Sequence, residues 1–421
     1  MKYSKYPSYK DSGVEWLGEI PEHWEVSSLK YAYENLDNRR IPISAAERET
    51  IVDGYPYYGA SGIIDYVAEY IYDEETILVG EDGANLLSRS TPLAFIANGK
   101  YWVNNHAHIL RFKDKNHFYW SNVINSLDIS PFVSGSAQPK LTSEALGNLI
   151  VSYPKEEQER KSIANYLDKA TAKIDTLIEK QTKLIELLKE KRQAVISTAV
   201  TRGLDSSVPM KDSGVEWLGE IPEHWSIGLL SSLFISNKNK NSDLSNKNLL
   251  SLSYGRVIRK DIDSAKGLLP ENFNTYQVVK EGYIILRLTD LQNDKKSLRT
   301  GYVNERGIIT SAYIGLAKKS ASIGNEKYFH LYLHTFDIHK GFYGMGAGVR
   351  QGLNFDELKK LKFTLPPHEE QNQIVEYIDL KTKQIDNLIT KATKAIDLLK
   401  EKRTALISSV VTGKIDVREA S

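Results

Sequence analysis

The sequence predicts a mixed α/β (α+β) protein built as a tandem duplication, with one globular region and one long helix in each half. Residues 10–24 and 211–225 carry the same fifteen letters, KDSGVEWLGEIPEHW. A looser repeat pairs residues 154–205 with residues 366–416. Between the repeated parts lie two β-rich regions that share little sequence. Because a chance match of such length is negligible, the duplication organises the whole chain.

Length and composition agree with a protein of two or more domains. The chain has 421 residues, more than one ordinary core accommodates, and 41% of them are hydrophobic, which suits a globular protein. It has no apolar run long enough to span a membrane and no apolar N-terminal stretch typical of secretion, so we expect a cytoplasmic protein without a membrane partner. The absence of cysteine excludes disulfides, thiolate metal sites and a cysteine nucleophile.

Charge is unevenly distributed along the chain. The net charge is only +1, but residues 226–365 hold 21 Lys and Arg against 12 Asp and Glu. Residues 26–153 hold 10 against 15. The basic region suits a polyanion such as DNA, whereas the acidic region does not, so composition alone does not select nucleic acid as the partner.

The repeated charged segments predict two long helices, with Gly203 and Gly413 as stop signals beyond them. About 40 residues at ~1.5 Å per residue would make a rod of roughly 60 Å. Apolar residues recur in each at heptad spacing, so we expect the two stripes to pack on each other. The alternative is that each helix packs only on its own domain. The predicted stripes are Ile163, Leu167, Ala170, Ile174, Leu177, Gln181, Leu184 and Leu188, and Ile374, Ile378, Ile385, Leu388, Ala392, Ala395 and Leu399.

Short runs of β-branched and aromatic residues, broken by Gly, Asn and Asp, predict strands within residues 55–112 and 249–317. Both regions then end in one pattern, in which a Gly-rich turn precedes a short helix, a strand and a proline, Pro154 or Pro366. The runs are residues 77–79, 93–96, 101–103, 107–110, 277–279, 283–287 and 312–316.

Signatures of catalysis are missing. No Gly-x-x-x-x-Gly-Lys-Ser/Thr motif is present, which argues against a P-loop ATPase. The only Pro-Pro pair, Pro366-Pro367, does not fit the Asn/Asp-Pro-Pro-aromatic loop expected of a DNA amino-methyltransferase. Gly344, Gly346 and Gly348 lack the spacing of a dinucleotide site. The sequence therefore predicts a chain that is not an enzyme by itself.

Two polar clusters leave alternatives open. His106 and His108, two residues apart on a predicted strand, share a face and could bind a metal, but ordinary polar strand residues, nucleic-acid contacts among them, are favoured. Glu81 and Asp82 could form a carboxylate pair for acid–base chemistry, but a turn with a capping acid is favoured. Neither cluster combines a nucleophile, a base and an orienting group.

The sequence resembles the specificity subunits of type I restriction–modification systems over essentially its whole length. The resemblance rests on residues 9–24 and their copy, on the Pro-x-x-Glu-Gln junctions at 154–158 and 367–371, and on residues 58–62, 84–85 and 101–106.

The resemblance implies two target recognition domains, each binding about half of a bipartite DNA site, and two antiparallel coiled-coil helices that fix the distance between the half-sites. It also implies partners: double-stranded DNA, two copies of a methyltransferase subunit, and restriction/translocase subunits. S-adenosylmethionine, ATP and Mg then belong to those partner subunits, and no cofactor or metal belongs to this chain. The implied domains are a leading segment 1–25, a recognition domain 26–153, a central helical spacer 154–205, a repeated leading segment 206–225, a second recognition domain 226–365 and a C-terminal helical spacer 366–421.

Candidate DNA-binding residues come from loops and turns, since Arg, Lys, Asn and Gln read base edges. Gln138 and Arg350 occupy equivalent places when Leu141 is aligned with Leu353, whereas Arg287 lies in an apolar run and could instead pair with an acid. The candidates are Arg40, Tyr58, Ser61, Asn105, His106, Gln138 and Lys140 in the first domain, and Tyr254, Arg256, Arg259, Arg287, Ser311, Arg350 and Gln351 in the second.

Two other classes of function compete with DNA recognition. A scaffold protein could use the duplication for assembly and the variable regions for protein binding, which the acidic first region favours. A self-contained nuclease or methylase is the third class, and the missing motifs argue against it. Steep salt dependence of DNA binding would distinguish a DNA reader from a scaffold, because counterion release scales with the phosphates neutralised.

Overall fold

The computed structural model describes residues 4–44, 46–48, 54–135, 137–261, 273–294, 296–345 and 352–419. The chain divides into two compact units. Unit 1 comprises residues 1–182 and 394–421, and unit 2 comprises residues 183–393. Each unit therefore combines one leading segment and one variable region with parts of both long helices.

Unit 1 contains two four-stranded sheets. One has the strand order β4-β11-β8-β9 and is antiparallel. The other has the order β6-β5-β10-β7, in which β5 and β10 run parallel. The strands are β1 (Tyr9–Asp11), β2 (Glu19–Pro21), β3 (Trp24–Ser28), β4 (Tyr33–Asn35), β5 (Tyr55–Gly59), β6 (Gly62–Val67), β7 (Tyr72–Asp73), β8 (Thr76–Gly80), β9 (Ala94–Ala97), β10 (Lys100–Val103), β11 (Ala107–Phe112) and β12 (Ile150–Pro154). The helices before the first long helix are α1 (Asn85–Ser88), α2 (His117–Ser126) and α3 (Ser143–Gly147).

The first long helix, α4 (Glu157–Arg202), leads into unit 2, which repeats the topology of unit 1. Its four-stranded sheet has the order β16-β23-β20-β21, and a parallel bridge between Leu249 and Ile308 stands where β5 meets β10 in unit 1. The strands are β13 (Met210–Asp212), β14 (Glu220–Pro222), β15 (Ser226–Leu229), β16 (Phe234–Ser236), β17 (Leu250–Ser253), β18 (Arg256–Arg259), β19 (Gln277–Val279), β20 (Ile284–Leu286), β21 (Thr300–Tyr302), β22 (Gly307–Ile309), β23 (Ile314–Lys318) and β24 (Lys362–Leu365). The remaining helices are α5 (Leu230–Leu233), α6 (Glu326–Ile338), α7 (Phe355–Leu358) and α8 (His368–Val411).

The identical fifteen-residue segments form the same structure in both units. Each makes a hairpin, β1–β2 or β13–β14, and then a buried tryptophan, Trp24 or Trp225. Each long helix ends in a left-handed glycine that packs on the hairpin of its own unit. A Cβ added to Gly413 (φ +75°) would lie 2.4 Å from the Cδ of Pro21, and one added to Gly203 (φ +78°) would lie 3.3 Å from the Trp225 ring. The positive φ favours glycine at both positions, and at Gly413 the close approach to Pro21 also excludes a Cβ.

Both predicted long helices are confirmed, and they pack together within each unit. In unit 1, Ile163 and Leu167 of α4 share one core with Ile407 and Val410 of α8. The pairing is antiparallel, because one residue, Tyr6, contacts both the start of α4 and the segment beyond the end of α8. The Tyr6 hydroxyl donates a hydrogen bond to Glu159 near the start of α4, and Arg418, beyond the end of α8, lies over the Tyr6 ring. The expectation that the apolar stripes pack on each other is confirmed for these helix segments.

The predicted stripes are wrong by one position at several places. Leu177, Leu184 and Leu388 are 47%, 43% and 49% exposed, whereas the neighbouring Ile178 is partly buried against the core. The helix carries apolar residues at both 177 and 178, and at both 184 and 185, so two stripes 100° apart fit the heptad spacing equally well. Ile174 belongs to both stripes. The structure selects the stripe that continues through Thr171, Ile178 and Ile185 over the one that continues through Leu177 and Leu184.

Within the described residues, no helix is both long and apolar enough to cross a membrane.

Candidate nucleic-acid interface

In unit 1, four segments of chain converge on the carboxylate of Glu81, which follows β8. Arg40 Nη1 donates a hydrogen bond to Glu81 Oε2 at 2.5 Å, and Lys140 Nζ lies 3.2 Å from Oε1. Arg40 also donates to the carbonyls of Asn105 and Ala107 at 3.4 and 3.0 Å. Two sequence-predicted residues, Arg40 and Lys140, thus contact the same carboxylate, and the backbone carbonyl of a third, Asn105, accepts a hydrogen bond from Arg40.

Backbone hydrogen bonds fix the same turns against one another. The Glu81 N–H donates to the carbonyl of His106 at 2.9 Å, and the Leu141 N–H donates to the carbonyl of Glu81 at 2.8 Å. Asp82 forms an isolated β-bridge with Lys140. The turn at residues 80–83 therefore acts as a hub, and the interpretation of Glu81 and Asp82 as turn residues fits this geometry better than an acid–base pair.

A buried histidine, His108, lies next to the turn at residues 80–83. His108 Nδ1 is 2.6 Å from Asp37 Oδ2, and His108 Nε2 is 2.8 Å from the Leu141 carbonyl. Burial alone raises the pKa of Asp37, but hydrogen bonds from His108 and the Ile109 N–H outweigh it and hold that pKa below its ordinary value. Burial likewise opposes ionisation of Glu81, and the hydrogen bonds from Arg40 and Lys140 help to hold its pKa low. Both carboxylates are charged at neutral pH and offset the cations beside them.

His106 and His108 do not share a strand face, which corrects that expectation. The turn at residues 105–106 places His106 before β11, where its exposed ring lies 2.8 Å from Asp82 Oδ2, while His108 is buried. The predicted run at residues 107–110 already begins the strand after His106, in agreement with β11, and Asn104 and Asn105 mark the turn. Among the described residues, no group of three or more His, Asp or Glu could hold a metal ion.

The remaining unit 1 candidates lie on the β5–β6 hairpin and on the turn before α3. Tyr58 is half-buried against Phe95 and Tyr101, and burial raises its pKa. Ser61 is exposed in the two-residue hairpin tip, and Gln138 is exposed in the turn that leads to Lys140. The tip lies close to the hub, since a Cβ on Gly80 would be 2.8 Å from the carbonyl oxygen of Ala60.

In unit 2, the equivalent hairpin β17–β18 carries three candidates. Tyr254 stands at its two-residue tip with φ +46° and is 91% exposed. Arg256 is exposed on the first residue of β18. Arg259, with a side chain 73% exposed, donates hydrogen bonds to Glu305. This hairpin therefore presents an aromatic ring and cations to solvent.

The loop after β20 is organised by an arginine that sequence reasoning missed. Arg287 Nη2 lies 2.9 Å from Asp294 Oδ2, as the acid-pairing alternative expected. The guanidinium of Arg299 is fully buried, donates to the Thr289 carbonyl at 3.0 Å, and also donates to the carbonyl of Asp294. Nothing in the run Ser-Leu-Arg-Thr distinguishes this buried arginine from an exposed one.

Ser311 lies in the loop between β22 and β23 of unit 2. It is exposed, and its hydroxyl donates to the Thr275 carbonyl at 2.5 Å. Arg350 and Gln351 lie outside the described residues, so their predicted equivalence to the Gln138 turn stays a prediction.

The fold and these surfaces define a class of protein: a tandem duplication with two mixed α/β domains, long paired helices and exposed polar loops on each domain. The chain belongs to the type I restriction modification DNA specificity domain family, whose model matches residues 21–187 and again residues 222–397. It is a type I restriction–modification specificity subunit with two recognition domains.

Individual relatives agree with this assignment. The chain is 26% identical over 362 residues to a putative type I restriction enzyme specificity subunit of Haemophilus influenzae, covering 85% of this chain and 86% of that protein. It is 23% identical over 448 residues to the MjaVIII specificity subunit of Methanocaldococcus jannaschii, covering 99% and 98%. A solved chain, from work on complex assembly and conformational transition of the type I R-M system, shares the fold with a TM-score of 0.62 at 13% identity, covering 93% of this chain and 98% of that one.

Proposed function

We propose that this chain is the non-catalytic DNA-reading subunit of a type I restriction–modification complex, and that each unit reads one half of a bipartite, non-palindromic site. The observation that carries the proposal is one topology, repeated in the two units, with different side chains at equivalent exposed positions. The β5–β6 tip is Ala60-Ser61, whereas the β17–β18 tip is Tyr254-Gly255. Two readers of two different half-sites need a shared frame and unlike contacts.

The catalytic steps then belong to partner subunits. We assign methyl transfer to two copies of an adenine-methyltransferase subunit that binds S-adenosylmethionine, and cleavage to restriction/translocase subunits that use ATP and Mg. The missing nucleotide and methyltransferase motifs of this chain support that division of labour.

Methylation mapping at single-base resolution tests the proposal directly. Cells expressing the chain with its methyltransferase partner are expected to carry a bipartite motif with a fixed spacer and modified adenines on opposite strands. A chimera that carries the variable region of a relative in place of residues 226–365 is the matched variant, and it should change one half of the motif only. If no motif appears while the same partner is active beside another specificity subunit, the proposal is wrong.

The paired helices are proposed to set the spacer between the half-sites. Inserting the same whole number of helical turns after Thr182 in α4 and after Thr393 in α8 is expected to lengthen the spacer and leave both half-sites unchanged. A changed half-site with an unchanged spacer would contradict this role.

A scaffold function is favoured by one observation, the neutralisation of Arg40 and Lys140 by the Glu81 carboxylate in unit 1. Salt dependence separates the two classes. A DNA reader that neutralises several phosphates loses affinity steeply between about 50 and 200 mM salt, by ~10³-fold or more, whereas a scaffold without phosphate contacts shows no such slope. The measurement is DNA binding of the complete chain with its methyltransferase partner across this range.

A further inference from the structure

Tyr254 is held in an unusual position for a tyrosine. At 91% exposure it is the most exposed large apolar side chain among the described residues, and Tyr31 follows at 64%. Its φ of +46° lies in the left-handed region, which residues with a Cβ adopt at an energetic cost. The two-residue turn between β17 and β18 calls for a positive φ at both tip residues, as Gly255 (φ +75°) also shows, and glycine or asparagine is the usual choice there. The Tyr254 side chain has no hydrogen bond or ring contact to another described residue, so contacts of the side chain within the described chain do not explain a tyrosine at this place.

The β17–β18 hairpin that carries Tyr254 packs on Leu298 and Gly301 of unit 2. A Cβ on Gly255 would lie 2.9 Å from Leu298 Cδ1, so the tip rests directly on that leucine. Gly301 is likewise in contact with Leu252 and Val257 of the hairpin strands. Leu298 directly precedes the buried Arg299. The Arg299 guanidinium donates hydrogen bonds to the carbonyls of Thr289 and Asp294 in the loop after β20. The ring therefore projects from a supported hairpin and not from a loose loop.

The surroundings of the ring fit a nucleic acid. Arg256 is exposed directly after the tip. Arg259, three residues further along the same strand, is also exposed but is paired with Glu305. An exposed aromatic ring beside a cation is a combination with which proteins stack on bases and contact the phosphate backbone. The variable region that contains this hairpin is also the basic one, with 21 Lys and Arg against 12 Asp and Glu.

We infer that Tyr254 is a wedge that inserts between neighbouring bases of the duplex bound by unit 2 and unstacks one base step there. The inference rests on the proposed DNA-reading function and adds a mode of recognition, in which the deformability of that step contributes to the choice of half-site. Unit 1 lacks such a wedge at the equivalent tip, where Ala60 and Ser61 are small. The inference therefore concerns the tip in unit 2 alone.

The test uses the complete chain with its methyltransferase partner and a duplex that carries the mapped site. 2-Aminopurine, whose fluorescence rises when it is unstacked, replaces one base at a time in the unit 2 half-site, away from the adenine that is methylated. We expect a rise of several-fold at one step with the wild-type chain. Tyr254→Ala should abolish the rise at saturating protein, and Tyr254→Phe, which keeps the ring, should retain it. Tyr31→Ala removes another exposed tyrosine and should change nothing.

The outcomes separate this inference from the proposed function. A complex that binds its mapped site without any rise, or a rise that persists in Tyr254→Ala, overturns the wedge and leaves DNA recognition intact. Failure of the wild-type complex to prefer any site overturns both. Tyr254→Gly gives an independent readout: a wedge residue predicts a higher thermal midpoint of the chain, because strain is relieved, together with loss of the fluorescence rise. A lower midpoint would indicate a structural role instead.

Discussion

Arg403 of α8 donates two hydrogen bonds to the Asp175 carboxylate of α4, from Nε to Oδ1 at 2.9 Å and from Nη2 to Oδ2 at 3.3 Å. Its counterpart in the other unit is Arg192, whose Nε lies 3.1 Å from Asp386 Oδ1. Adding 211 to Asp175 and Arg192 gives Asp386 and Arg403, and the same offset aligns the identical segments LKEKR at 188–192 and 399–403 of the repeated helices. The duplication thus extends to individual side-chain contacts between the helices.

Replacing Asp175 and Arg403 singly and together by alanine should reveal only weak coupling. Both side chains are substantially exposed, and exposed ion pairs contribute about 0.2–1 kcal/mol because solvent and salt screen them. A double-mutant cycle on thermal unfolding measures the coupling, and it should shrink when salt is raised. Coupling well above this range, or insensitive to salt, would contradict the assignment as a surface pair.

Two neighbouring apolar residues of α4 should respond very differently to truncation. Ile174 is 6% exposed and belongs to the unit 1 core, whereas Leu177 is 47% exposed. Ile174→Ala should destabilise unit 1 by about 2–4 kcal/mol and Leu177→Ala by less than ~1 kcal/mol. Amide exchange of the α4 backbone in unit 1 provides the comparison, and equal effects would mean that the inward stripe has been assigned to the wrong residues.

Glu159 should matter more for stability than its counterpart Glu370. The buried Glu159 carboxylate accepts hydrogen bonds from the Tyr6 hydroxyl at 2.9 Å and the Trp24 indole at 3.1 Å, and it lies 2.8 Å from His23 Nε2. Glu159→Ala leaves buried donors without an acceptor, and we expect a loss of about 2–3 kcal/mol.

Glu370→Ala is the matched control for that prediction. Glu370 lies 2.8 Å from His224 Nε2, but the Trp225 indole nitrogen already lacks a partner among the described residues. A smaller loss is therefore expected. Protection of amides in residues 20–28 and 221–229 against exchange reports on the two variants, and the reverse order of effects would refute the prediction.

The stability of unit 2 should depend on Asp337. Burial raises the pKa of this carboxyl to about 6, above the value of about 3.8 expected when the chain is unfolded. The folded state therefore holds a proton that the unfolded state loses first, and this contribution weakens as pH rises from ~4 to ~6. Asp337→Asn should remove that part of the slope and stabilise unit 2 at pH 7 by about 1–3 kcal/mol, on the basis of ~1.4 kcal/mol per pKa unit.

Thermal unfolding of wild type and Asp337→Asn between pH 4 and 7 makes the comparison. The amide of asparagine keeps an acceptor for the Arg299 N–H, which contacts Asp337 Oδ2 at 2.5 Å. Parallel curves for the two proteins would show that Asp337 titrates normally.

Arg299 should be indispensable to the loop after β20, in contrast to Arg287. Arg299→Ala leaves several buried carbonyls without a donor and opens a cavity, and a loss of about 3–5 kcal/mol is expected. The partly exposed pair of Arg287 and Asp294 should contribute less than ~1 kcal/mol. Amide exchange of residues 287–299 measures both, and under the proposed function only recognition of the half-site assigned to unit 2 should suffer. Equal protection in the two variants would exclude Arg299 as the organiser of the loop.

Repetition and periodicity were sufficient to predict the frame of the molecule. The copies of the fifteen-residue segment predicted equivalent structures, and Trp24 and Trp225 are indeed buried at equivalent places. Runs of β-branched residues predicted strands because burial on a sheet selects those side chains, and residues 77–79 and 277–279 lie within β8 and β19.

The partners of charged side chains could not be predicted in the same way. Arg40 pairs with Glu81, and Arg299 donates to the carbonyls of Thr289 and Asp294. These contacts form only when the chain has folded. No local pattern distinguishes such an arginine from one that is free to bind a phosphate. The contribution of each candidate residue to DNA binding therefore stays a prediction for mutagenesis.

The strands that flank each variable region have a consequence for how new specificities arise. β3 pairs with β12, from Trp24 opposite Pro154 to Ser28 opposite Ile150, and β15 pairs with β24 in the same manner. The two ends of each variable region therefore lie side by side, on a pair of hydrogen-bonded strands. Recombination at the flanking segments would exchange the whole variable region in one genetic step, and under the proposed function it would change one half-site. The incoming region must still fit the long helices, because Asp114 pairs with Arg160 of α4 at 2.7 Å and Tyr328 donates to the Val200 carbonyl of α4 at 3.1 Å.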